Sequence, residues 1–99
     1  MKYVEIKPAT QKNKKLQAIF YDSNKKKIET IAFGAKGMSD FTLHKDPKRK
    51  ERYLDRHRAR EDWTVPNNAG SLSRWILWSK PTLSASINDY LKRFNLRKL

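Results

Sequence analysis

Ninety-nine residues, 37% hydrophobic and 33% charged, are enough for one small domain (residues 1–99) with a modest core, and 11% aromatic content argues against a disordered basic tail. A net charge of +13, from 23 Lys/Arg against 10 Asp/Glu, points to a polyanionic partner, with nucleic acid first. Without cysteine there is no disulfide framework, thiolate zinc site or cysteine nucleophile, no apolar stretch approaches the ~20 residues of a membrane span, and Met1–Lys7 is too charged for a signal-peptide core.

Tyr3–Lys7 alternates weakly and predicts a short strand ending at Pro8. After a polar loop from Ala9 to Lys15, the β-rich runs Leu16–Tyr21 and Ile28–Phe33 flank the turn residues Asp22-Ser23-Asn24-Lys25. Residues 1–33 therefore read as a small antiparallel three-stranded sheet. Gly34 and Gly37 bracket a turn, and Met38–Lys45 reads as an irregular connection.

Asp46-Pro47 is a helix start, with Asp as N-cap and Pro where its missing donor costs nothing. The predicted helix spans 46–60 and docks on the sheet along Tyr53, Leu54 and His57, with its arginines outward. A loop containing Pro66 and Gly70 follows, anchored by Trp63. Ser71 is expected to cap a short helix through Trp78. Thr82 or Ser84 opens a last one, whose 3.6-residue stripe is Leu83, Ile87, Tyr90, Leu91 and Phe94. Asn95 is a plausible stop. Strands first and about three helices after (the last two within 71–94) make the fold class α+β.

The run His44–Arg60 carries the functional signal. Eight Lys/Arg face three acids, so at least five cations lack an acidic partner within the helix, and pairs such as Asp55 with Arg58 contribute only a few tenths of a kcal/mol. Arginine's planar fork matches phosphate geometry. The expected phosphate ligands are Arg49, Arg52, Arg56, Arg58 and Arg60, supported by Lys48 and Lys50. Two lysine groups are secondary candidates: Lys12, Lys14 and Lys15 before the second strand, and Lys25, Lys26 and Lys27 in the hairpin turn. Blunting of strand edges is their structural alternative.

The three tryptophans read mainly as core. Trp75 and Trp78, three apart in a segment apolar all round, are the candidates for a partner or oligomer interface. His44 and His57 have Asp40, Asp46, Asp55, Glu61 and Asp62 nearby in sequence, but no metal-ligand spacing is recognisable. No catalytic residue, metal or cofactor is expected.

The string Phe33-Gly34-Ala35-Lys36-Gly37-Met38-Ser39-Asp40-Phe41-Thr42, then His44-Lys45-Asp46, resembles short uncharacterised proteins encoded by large nucleocytoplasmic DNA viruses of algae and amoebae. The likeness continues through Arg52-Tyr53, Arg56-His57, Glu61-Asp62-Trp63, the run Ala69–Trp78 and Lys80-Pro81-Thr82-Leu83. It implies a viral gene product in the virion or the infected cell (nucleus or cytoplasm), not secreted, and brings no established activity. The expected function is sequence-independent binding of nucleic acid, DNA ahead of RNA, in genome packaging or condensation. The alternatives are a minor capsid or interaction protein, with virion proteins or its own copies as partners, and a metal-dependent nuclease using His44 or His57.

Overall fold

The computed structural model describes Met1–Leu99. Runs rich in β-branched and aromatic residues form β1 (Tyr3–Pro8), β2 (Lys14–Tyr21) and β3 (Lys27–Ala35), paired antiparallel in sequence order. The turn between β2 and β3 is closed by Asp22, whose Oδ1 accepts from the N–H groups of Asn24 and Lys26 at 2.9 Å each. One sheet face is apolar by alternation: Val4, Ala18, Phe20 and Phe33 are buried on it.

The sheet has four strands and is mixed, not three-stranded and antiparallel. The chain turns at Asn95 (φ +52°), buries Leu96 in the core, and lays β4 (Arg97–Lys98) parallel to β1, giving the order β3-β2-β1-β4. Arg97 N–H donates to Lys2 O, and Leu99 N–H to Val4 O. Two exposed basic residues carry no alternation, so only tertiary packing through Leu96 defines this strand.

Four helices follow the hairpin. α1 (Phe41–His44) occupies the stretch expected to be irregular; one turn is too short to show periodicity. Its cap is Asp40, which accepts from Thr42 N–H, and Lys45 ends it in the left-handed conformation. α2 (Pro47–Arg58) begins at Asp46-Pro47 as expected, with Asp46 accepting from Lys48 N–H, and stops two residues short of Arg60. α3 (Ala69–Leu72) is capped by Asn68, not Ser71; Ser71 is buried and donates its hydroxyl to Asp62 O. α3 runs into a π-helical turn, Ser73–Leu77, closed by Trp78 N–H to Ser73 O at 3.0 Å.

α4 (Leu83–Arg93) is capped by Thr82. Its inward face is centred on Ser86 and Tyr90, while Leu83 is exposed; Ser86 Oγ accepts from Lys80 N–H at 3.0 Å and closes the preceding turn. Leu72, Ile76, Leu77, Tyr90 and Leu96 cover the apolar sheet face. Burial raises the Tyr90 pKa, and its hydroxyl donates to Pro66 O at 2.8 Å, holding the long loop to the core.

Gly34 matters to the site. Its φ is +79°, and a Cβ there would stand 2.8 Å from Leu77 Cδ1. Gly34→Ala is expected to cost about 1–2 kcal/mol from the backbone conformation alone. Thermal melting checks this: a midpoint lower by roughly 5–10 °C is expected, and an unchanged one would contradict it.

Candidate nucleic-acid interface

Arg49, Arg52, Tyr53, Arg56 and His57 stand at i, i+3, i+4, i+7 and i+8 of α2, so they share one helix face. Three arginines thus lie beside Tyr53 and His57, not opposite them as the sequence reading expected. The helix does not press this face onto the sheet either. Tyr53 stacks between His57 (ring centroids 4.1 Å apart, 22°) and Trp78 (4.1 Å, 4°), and His44 meets the Trp78 ring at 5.3 Å. Burial, then the Glu61 carboxylate, pushes the Tyr53 hydroxyl up to about 12, so it is a neutral ring at physiological pH.

Between this face and the adjoining ends of β2 and β3 opens a cleft of about 610 Å³. Gly34, Ala35, Met38 and the half-buried Trp78 contribute apolar surface to it, and Lys14, Arg49, Arg52 and Arg56 line it with positive charge. Its two acids are committed elsewhere. Asp40 is paired with Lys15 at 2.6 Å. Glu61 contacts His57 Nδ1 at 2.6 Å and accepts from Trp63 Nε1 at 2.9 Å. Lys14, Arg49, Arg52 and Arg56 have no carboxylate within 4.0 Å; the carboxylate partners in the chain belong to Lys15, His57, Arg58 and Arg93.

The remaining expected ligands are scattered. Lys50 turns inward, donating to Ser79 O at 2.7 Å and lying over the Phe41 ring at 4.9 Å; burial, then Arg74 and Lys80, lowers its pKa. Arg58 pairs with Asp55 at 3.4 Å, as its spacing suggested. Lys48 and Arg60 are exposed and do not line the cleft. Lys25, Lys26 and Lys27 sit at the opposite end of the β2–β3 hairpin, roughly 23 Å away by strand rise. Lys14 and Lys15, from the other lysine group, are the ones at the cleft.

Trp75 and Trp78 do not form one surface. The wider π turn separates them, so Trp78 enters the ring stack with Tyr53 while Trp75 joins a second cluster. There the guanidinium carbons of Arg93 and Arg74 lie 3.6 and 4.1 Å from its ring centroid. Trp75 Nε1 donates to Trp63 O, and Arg74 also lies over the Trp63 ring at 5.4 Å. Burial, then Arg93 and Arg58, lowers the Arg74 pKa.

The segment 4–57, from β1 almost to the end of α2, matches the sequence profile described as "Family of unknown function (DUF5754)". The chain belongs to this family. The match takes in the whole Arg49–His57 face, whereas Leu77 and Trp78 on the other side of the cleft lie beyond it. No curated protein and no solved structure matches the chain. No helix is long and apolar enough to cross a membrane, and no group of three or more His, Asp or Glu is placed to hold a metal ion.

His44 gives the site a pH-dependent support. Its Nδ1 accepts from Asp46 N–H at 2.9 Å, so protonation there would break the link between α1 and the cap of α2. Burial, then Arg49, lowers its pKa from 6.5, against opposing contributions from Asp46 and Asp40. The unfolded chain therefore binds the proton first. Its stabilising contribution is complete above about pH 6.5 and is lost as the pH falls from there through the lower native value. Melting curves from about pH 7.5 down to about pH 5 should show His44→Asn losing less stability on acidification than wild type. Equal losses would exclude this role.

Proposed function

We propose that this member of the family binds nucleic acid non-enzymatically, through phosphate contacts made by the α2 face that lines the cleft. One observation carries the reading: Lys14, Arg49, Arg52 and Arg56 surround a single recess, and none has a carboxylate partner. Like charges gathered without counter-charges repel one another, and a phosphate chain relieves that repulsion. Lys48 and Arg60 are exposed but lie outside the recess. Arginine contacts to phosphate oxygens carry no base information, so binding on this account is largely independent of sequence. Within this proposal the polyanion is a viral genome, DNA ahead of RNA, in the virion or the infected cell. The likeness to viral proteins is what supports that part.

The test is a titration of labelled DNA with the purified protein at several salt concentrations. Counterion release predicts affinity falling linearly on logarithmic axes, with a slope of about −0.9 per neutralised phosphate on duplex. Affinity that ignores salt, or no binding at all, would remove the proposal.

A further inference from the structure

We propose that the cleft seats one unpaired nucleotide of a single strand, which deepens the phosphate-binding reading and rests on it. Phosphate binding to an exposed helix needs no concavity, yet here the cations line a recess of about 610 Å³. That volume lies within the roughly 300–1,000 Å³ of small-ligand sites. The recess is also chemically divided in the way a nucleotide is. Arg49, Arg52 and Arg56 give one wall guanidinium donors for a phosphate. Ala35, Met38 and the half-buried Trp78 give another part an apolar surface for a planar ring.

Two features keep this volume available. Gly34 has no side chain to project toward Leu77, where a Cβ would come within 2.8 Å of Cδ1. The acids that would repel a phosphate are held by Lys15 and by His57. A third feature favours a base. The stacked rings of Trp78, Tyr53 and His57 all line the cleft, the terminal His57 has Tyr53 as its one ring neighbour, and a base can continue such a pile. A duplex keeps its bases paired inside and presents only backbone to the recess. A single strand can turn one base into it.

The experiment compares three labelled oligomers of equal length by fluorescence anisotropy: a single strand, the duplex of the same sequence, and an abasic single strand. The single strand is expected to bind about tenfold more tightly than either of the others, as stacking of one base allows. Ala35→Trp fills the cleft from an exposed position of β3 and is expected to abolish that preference while leaving duplex binding and its salt slope in place. If circular dichroism shows Ala35→Trp misfolded, Ala69→Trp replaces it, exposed and lining the cleft from α3. Equal affinity for all three probes, with steep salt slopes, would overturn the nucleotide seat and leave the phosphate reading standing. A preference that survives the filled cleft would overturn the seat as well. No binding to any probe would remove both.

Discussion

Replacing Tyr53 by alanine is expected to release α2 while the sheet and the C-terminal helices stay assembled. α2 contains no fully buried residue, and the Tyr53 ring ties it to the C-terminal half by stacking on Trp78, with His57 of the same helix on its other face. The Lys50 Nζ to Ser79 O bond adds a second tether. Losing the ring removes its half-buried apolar area and a stacking interaction of about 0.5–1.5 kcal/mol, for a total of about 2–3 kcal/mol. The segment left behind has twelve residues, six Lys/Arg and two acids. A helix that short is marginal in water even without charge repulsion. Amide hydrogen exchange is the direct measurement. Protection over 48–58 should collapse in Tyr53→Ala while β2 and β3 keep theirs, and Trp78→Ala should show the same loss over 48–58. Wild-type protection of α2 in Tyr53→Ala would show that the ring stack does not hold it.

Local chemistry explains which elements could be read from the sequence. Asp46-Pro47 announces the start of α2 because the cap and the proline act within one turn, and the Asp22 turn is equally local. β4 is different: Arg97 and Lys98 become a strand only because Leu96 is drawn into a core built by residues far away in sequence. The π turn was hidden for a related reason. Nothing in Ser73–Leu77 marks an i→i+5 bond, yet that bond sends Trp75 and Trp78 into different clusters. The cleft is an intermediate case. Spacings of 3, 1, 3 and 1 from Arg49 to His57 already place three arginines beside Tyr53, and the periodicity argument that made Tyr53 and His57 inward applied to them equally. That Lys14 reaches the same recess while Lys25–Lys27 do not depends on which end of the hairpin meets α2, and residue spacing does not determine that.

The triple variant Arg49→Ala/Arg52→Ala/Arg56→Ala should lower the magnitude of the salt slope for duplex DNA by about 3, at 0.9 per phosphate contact. Affinity should fall most at low salt, where counterion release contributes most. Net charge alone would weaken binding too, so the informative comparison is Lys48→Ala/Arg58→Ala/Arg60→Ala. That variant removes the same three charges from residues that do not line the cleft, one of them already paired with Asp55. If binding follows the cleft face, the second triple should change the slope by about 1 or less. The stack is untouched in both, because Tyr53, His57 and Trp78 remain, and α2 should keep its hydrogen-exchange protection. Equal slopes for the two triples would mean that the protein responds to total charge, and the α2 face would lose its claim to be the binding surface. A large loss confined to the first triple would place the phosphates on Arg49, Arg52 and Arg56.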